Sequence, residues 1–269
     1  MNRCFDLLVL LVLVMVPVAH ASDSVGHALG EAYDLKSNEL LYREFYCDNG
    51  KPDEKEVIYH NESGRTIARK RLDFSSGSLT PSFVQHNLYS SEVIEVALRE
   101  GKVSMAVLDA ASYEPKKLNS ARAGDKLPVV IDAGFDGYIR SNWDSLLAGE
   151  KKRFMFPFAE RSKLVELRVK QSACSYPSET DQCFKLELSN WLLRMLVAPI
   201  ELGYDPEDQR LRRYRGLSNI GDGKGNGSVV DIRYNYQSIP ALACSAGEQA
   251  VSLGSSLPDT RSHAEVGDS

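Results

Sequence analysis

The sequence predicts a mainly β protein with one principal helix (α+β): a strongly curved antiparallel sheet, or incomplete β-barrel, with the helix packed on its concave face. Three observations predict it. Apolar and polar residues alternate in many short runs, Gly, Asn, Asp and Pro punctuate the gaps, and a single segment switches to three- and four-residue spacing.

The alternation comes first because successive strand side chains leave on opposite faces. In KLVELRVK, Val165, Leu167 and Val169 point one way and Glu166, Arg168 and Lys170 the other. Phe184, Leu186 and Leu188 repeat the pattern, as do Val230, Ile232, Tyr234 and Tyr236, and Phe154, Phe156 and Phe158 form an aromatic stripe. Between such runs, LKSNE, HNESG, LREGK, YDPEDQ and GDGKGNG hold the residues that tight turns need for fixed or positive φ. Short strands joined this way imply one sheet of roughly eight to eleven strands. AYDLKSNELLYR and GYDPEDQRLRRYR echo each other, which reuse of hairpin chemistry explains. Residues 110–128, AASYEPKKLNSARAGDKLP, lack apolar alternation and read as a mobile loop.

The exceptional segment is DAGFDGYIRSNWDSLLAGE, residues 132–150. Phe135, Tyr138, Ile139, Asn142, Trp143, Leu146 and Leu147 share one face of a helix. Asp132 suits an N-cap and Gly149 a C-terminal stop. A bulky aromatic face inserted between strands packs on a sheet, and on a curved sheet it plugs the hollow.

The ends carry different information. MNRCFDLLVLLVLVMVPVAHASD has a basic start, an apolar run too short to span a bilayer and a small-x-small cleavage signal. Residues 1–21 therefore read as a signal peptide, 22–244 as a single curved-sheet domain and 245–269 as a disordered tail, the last from its small polar composition. Ser22 rather than Cys follows the expected cut, which predicts a secreted, periplasmic protein without a lipid anchor. No later stretch is long and apolar enough to span a membrane, and the formal charge of −5 argues against nucleic acid as a partner.

Four cysteines follow residue 21. CSYPSETDQC puts a turn between two strand-like runs, so Cys174 and Cys183 are expected to form a disulfide worth roughly 2–3 kcal/mol. A Cys47–Cys244 disulfide follows by elimination. Zinc would need closer C-x2-C spacing and histidine partners.

Catalytic and cofactor signals are weak. Asp132 and Asp136 lie four apart, but acids in a first helical turn already have a structural use in the helix dipole. His27, His60, His86 and His263 show no metal-ligand spacing. GLSNIG around Ser218 is one residue off the nucleophile-elbow pattern and sits in a β context. GDGKGNG fits neither a phosphate loop nor a calcium loop, since Lys224 and Arg233 occupy calcium-ligand positions. No metal, catalytic residue or cofactor is expected. Sequons at Asn61 and Asn226 matter only in a eukaryotic secretory pathway. Two basic arms, Arg65, Arg69, Lys70 and Arg71, and Arg210, Arg212, Arg213 and Arg215, are expected to stud an outer face, with docking of acidic partners or anionic lipid as the alternative.

The phrases GYDPEDQRLRRYRGLSNI, VVIDAGFDGYIRSNWDSLL and VAPIELGYD, set among strands behind a signal peptide, resemble uncharacterised exported proteins of Gram-negative bacteria. Over about residues 29–240 the arrangement also resembles the Lol lipoprotein carriers, whose fold is an incomplete barrel closed by helices over an apolar cavity. The carriers generally have more than one helix, and the resemblance transfers no catalytic residue.

Three functions compete. The first is a non-enzymatic periplasmic protein binding a lipid, acyl chain or other hydrophobe, lined by Phe135, Trp143, Phe154, Phe156, Phe158 and Trp191. The second is a cell-envelope protein-interaction module whose core those rings simply fill. The third is a hydrolase using Asp132, Asp136 or His86. Whether the interior holds a void decides between the first two.

Overall fold

The computed structural model describes residues 26–124, 126–195, 197–221, 227–236, 239 and 243–244. The proposed signal peptide, the 245–269 tail, His263, Asn226 and most of GDGKGNG lie outside the described residues.

Among the described residues, fourteen antiparallel strands form one sheet. The first eight are β1 (Gly26–Asp34), β2 (Leu40–Cys47), β3 (Glu54–Asn61), β4 (Thr66–Asp73), β5 (Ser82–Asn87), β6 (Glu92–Arg99), β7 (Lys102–Asp109) and β8 (Pro115–Arg122). After two helices come β9 (Lys152–Phe158), β10 (Lys163–Gln171), β11 (Gln182–Leu188), β12 (Ile200–Tyr204), β13 (Leu211–Gly221) and β14 (Gly227–Asn235). Each half is a meander, and the halves join where β1 pairs with β14 from Leu29↔Asn235 to Asp34↔Val230. That leaves β8 and β9 as edges.

The sheet curves until its edges nearly meet. Asn119 Nδ2 on β8 donates to Ser162 O at 2.6 Å, and Lys117 Nζ to Glu160 O at 2.7 Å. Residues 128–131 cover the free side of β9, with Val130 N donating to Met155 O and Met155 N to Pro128 O, each at 2.9 Å. The 128–131 segment adds a single parallel bridge at Val129↔Met155, but β8 and β9 do not pair with each other, so the barrel stays unclosed. Capping matters because unpaired edge groups invite pairing with other chains.

Four expectations change. The strand number exceeds eight to eleven, and β8 lies inside the 110–128 stretch read as a loop. Its side chains are mostly exposed, so an edge strand here has no apolar alternation to display. The 132–150 helix is also interrupted. It forms α1 (Gly134–Ser141) and α2 (Trp143–Leu147), broken at Asn142 with φ −115° and ψ 16°. Asn142 Nδ2 turns back to Tyr138 O at 2.8 Å, a local competitor of the helical ladder. Ala133 rather than Asp132 occupies the N-cap. Gly149 does end the segment, at φ +86° with its N–H on Leu146 O at 3.0 Å.

The helix pair lies in the hollow. Tyr138 and Trp143 are each 7% exposed. The Trp143 ring is 5.1 Å from Phe184 and 5.7 Å from Tyr204, and Tyr138 is 4.8 Å from Phe154. Val130, Ile139, Leu146, Val169, Leu186, Leu202 and Leu211 complete this packed cluster.

Both expected disulfides are present, Cys174–Cys183 and Cys47–Cys244. The first closes the β10–β11 connection. Its Tyr176 ring lies against Gly203 on β12, where a Cβ would collide with the tyrosine hydroxyl. Arg213 covers that ring at 4.0 Å and pairs with Asp231 at 2.7 Å.

Candidate functional site

The helices do not fill the hollow. Beside α1 remains a cavity of ≈ 620 Å³. Inward positions of strands across the sheet supply its walls: Val57, Leu72, Leu167, Leu186, Leu202 and Ile232, closed on one side by Phe135 and Gly137. Room exists partly because β1 presents Ala28, Gly30 and Ala32 at alternate positions. A Cβ on Gly30 would stand 2.9 Å from the Tyr234 ring and 3.1 Å from Glu44 Oε2.

A small polar group interrupts the apolar wall. Glu44, 3% exposed, faces inward with its β2 neighbours Tyr42 and Tyr46. Tyr46 Oη donates to Glu44 Oε2 at 2.9 Å and Tyr234 Oη to the same oxygen at 3.3 Å. Burial pushes the Glu44 carboxyl up to about 7, against the tyrosine hydrogen bonds and the positive charge of Lys70. Lys70, also 3% exposed, donates to Asp132 Oδ1 at 2.8 Å and lies 5.1 Å from the Phe83 ring centre. Burial holds the phenols of Tyr46, Tyr59, Tyr214 and Tyr234 protonated well above their ordinary range.

The more exposed part of the wall is charged as well. Arg140 pairs with Asp136 at 2.8 Å, and burial raises Asp136 while Arg140 lowers it. Lys55 pairs with Asp48. His27 Nδ1 is 3.6 Å from Asp48, and burial lowers its pKa. Tyr236, 39% exposed, lies on the same rim.

The six rings expected to line a site divide. Phe135 and Phe156 stand in the wall. Trp143 and Phe154 belong to the packed cluster. Phe158, half-buried at the end of β9, pairs with Lys163 and does not reach the cavity. Trp191 is 62% exposed and lies outside the hollow. It begins the one-turn helix α3 (Trp191–Arg194), whose amides Leu192 N and Leu193 N are capped by Asn190. A helical turn at a hairpin tip projects its side chains past the sheet, which strand alternation does not foretell.

Lys70 needs correction too. It was expected on an outer face with Arg69 and Arg71, yet three consecutive strand residues cannot share a face. Arg69 pairs outside with Glu56 at 3.1 Å, while Lys70 turns inward. In the other basic arm, Arg210 pairs with Asp208, Arg212 with Asp205 and Arg213 with Asp231. Asp132 and Asp136 each face a cation. No group of three or more His, Cys, Asp or Glu among the described residues is placed to hold a metal ion.

Glu44 escaped sequence reasoning. The usable signal was its parity in LLYREFYC, where an acid shares a face with Tyr42 and Tyr46. Among the described residues no helix is long and apolar enough to cross a membrane.

No protein-family model matches the chain, and no curated protein matches it in sequence. Among solved structures it is similar to a β-barrel-like protein of a domain of unknown function, DUF1849, from Brucella abortus. That similarity has a TM-score of 0.48 at 9% sequence identity and covers 80% of this chain and 96% of the other.

Proposed function

We propose that the chain is a non-enzymatic periplasmic protein that shelters the apolar part of a lipid or other hydrophobe inside its curved sheet. The observation carrying this reading is the ≈ 620 Å³ cavity left beside α1, within the range of about 300–1,000 Å³ usual for small-molecule sites. Its apolar walls favour binding by about 25 cal/mol per Å² removed from water, and its few polar groups would set orientation. Two disulfides suit an oxidising compartment such as the periplasm. The carrier role implied by the Lol resemblance is one form of this function.

The test is native purification followed by mass spectrometry of the organic extract, with displacement of an apolar fluorophore as a second readout. A stoichiometric hydrophobe in the extract is the expected result. Repeated extraction without any lipid, together with no fluorophore uptake, overturns the reading.

A further inference from the structure

The cavity lining holds three cations and three carboxylates, but the contacts among them leave one carboxylate out, because Lys55 turns to Asp48 outside the lining. Among its lining cations, Lys70 pairs with Asp132, Arg140 with Asp136 and Lys55 with Asp48. The carboxylate left over is Glu44. Among the described residues it receives the hydroxyls of Tyr46 and Tyr234, both on Oε2, while the Lys70 ammonium is hydrogen-bonded to Asp132. A buried carboxylate with no cation in direct contact is costly: Lys70 lowers the Glu44 pKa from a distance, yet burial still raises it above its ordinary value. A ligand that brings a positive charge removes that cost. Tyr46, Tyr59, Tyr214 and Tyr234 line the same cavity, and aromatic rings attract ammonium groups over their faces.

We propose that the cavity takes an amphiphile with a cationic head, a long-chain amine or quaternary ammonium, with Glu44 as its counter-charge and the apolar walls around its chain. This rests on the cavity-binding reading above. An anionic head would meet Glu44 where the lining cations are already paired with carboxylates, and a neutral one would leave Glu44 unmatched.

Three probes of equal chain length separate the possibilities: dodecyltrimethylammonium, dodecanol and laurate, each below its micelle concentration and each displacing a neutral apolar fluorophore. The ammonium is expected to bind about tenfold or more tightly than dodecanol near pH 8. The preference should shrink towards pH 6 as Glu44 takes up a proton, because this head group does not titrate. Glu44 is faced by Lys70, Asp132, Tyr46 and Tyr234, and the rim adds His27, Lys55, Asp136 and Arg140. Of these His27 is the imidazole, and burial lowers its pKa, so a shift that belongs to Glu44 should survive His27→Gln. Glu44→Gln, which keeps an acceptor for both tyrosines, should abolish the ammonium preference and retain dodecanol affinity. Equal affinities at every pH, or laurate binding tightest, overturn the cationic-head proposal while the cavity reading stands. Displacement by none of the three overturns both. The wild-type pH series decides the matter even if the Glu44 variant does not fold.

Discussion

Lys70 Nζ on β4 lies 2.8 Å from Asp132 Oδ1, tying the inner face of the sheet to the residue two before α1. The lysine is 3% exposed and the aspartate side chain 20%, so the pair is substantially removed from water. It fixes where the helix enters the hollow and hence the shape of the cavity.

Removing one partner leaves an uncompensated buried charge. Lys70→Met is expected to destabilise the protein by roughly 2–4 kcal/mol, somewhat less than a fully enclosed pair because Asp132 is partly solvated. Adding Asp132→Asn should restore most of that loss. Asn also tolerates the φ of +42° at this position. Urea denaturation of the single and double variants checks both outcomes.

Glu44 gives stability a recognisable pH dependence. Its folded-state carboxyl is raised from an ordinary 4.5 to about 7, so between those values the folded protein holds a proton that the unfolded chain has lost. Stability therefore falls as pH rises through this window and levels off above it. The contribution is roughly 3 kcal/mol. Comparing denaturation of wild type and Glu44→Gln from about pH 4 to 8 isolates it, and the difference should favour the variant increasingly up to neutrality.

The disulfide-closed loop should depend on a missing side chain. Tyr176 occupies the space a Cβ would need at Gly203, under the Arg213 guanidinium. Gly203→Ala is expected to cost about 1–3 kcal/mol by overpacking. Reducing only Cys174–Cys183 should cost roughly 2–3 kcal/mol. Thermal melts of each variant, and of a Tyr176→Ala, Gly203→Ala pair that relieves the clash, test this packing.

The two tryptophans should report opposite environments. Trp143 is 7% exposed and packed by Phe184 and Tyr204, whereas Trp191 is 62% exposed. Trp191→Phe should leave blue-shifted emission resistant to acrylamide. A Trp143→Phe protein should emit to the red and quench readily. Trp143→Ala is expected to destabilise by about 3–5 kcal/mol, measured by denaturation.

By itself the sequence determined what local chemistry can encode: a period-two pattern, turn residues, an aromatic helix face and two cysteines close along the chain. Those features led to the antiparallel sheet, to the helix in its hollow and to Cys174–Cys183. β8 stayed hidden because an exposed edge strand such as Pro115–Arg122 has no buried face to impose alternation. Only the tertiary structure decided that Lys70 meets Asp132, that Glu44 faces a cavity and that Trp191 points away from it. The physical reason is that alternation divides a strand into two faces without saying which is concave. Whether a hollow is filled depends on the curvature of fourteen strands and the volumes of side chains far apart along the chain.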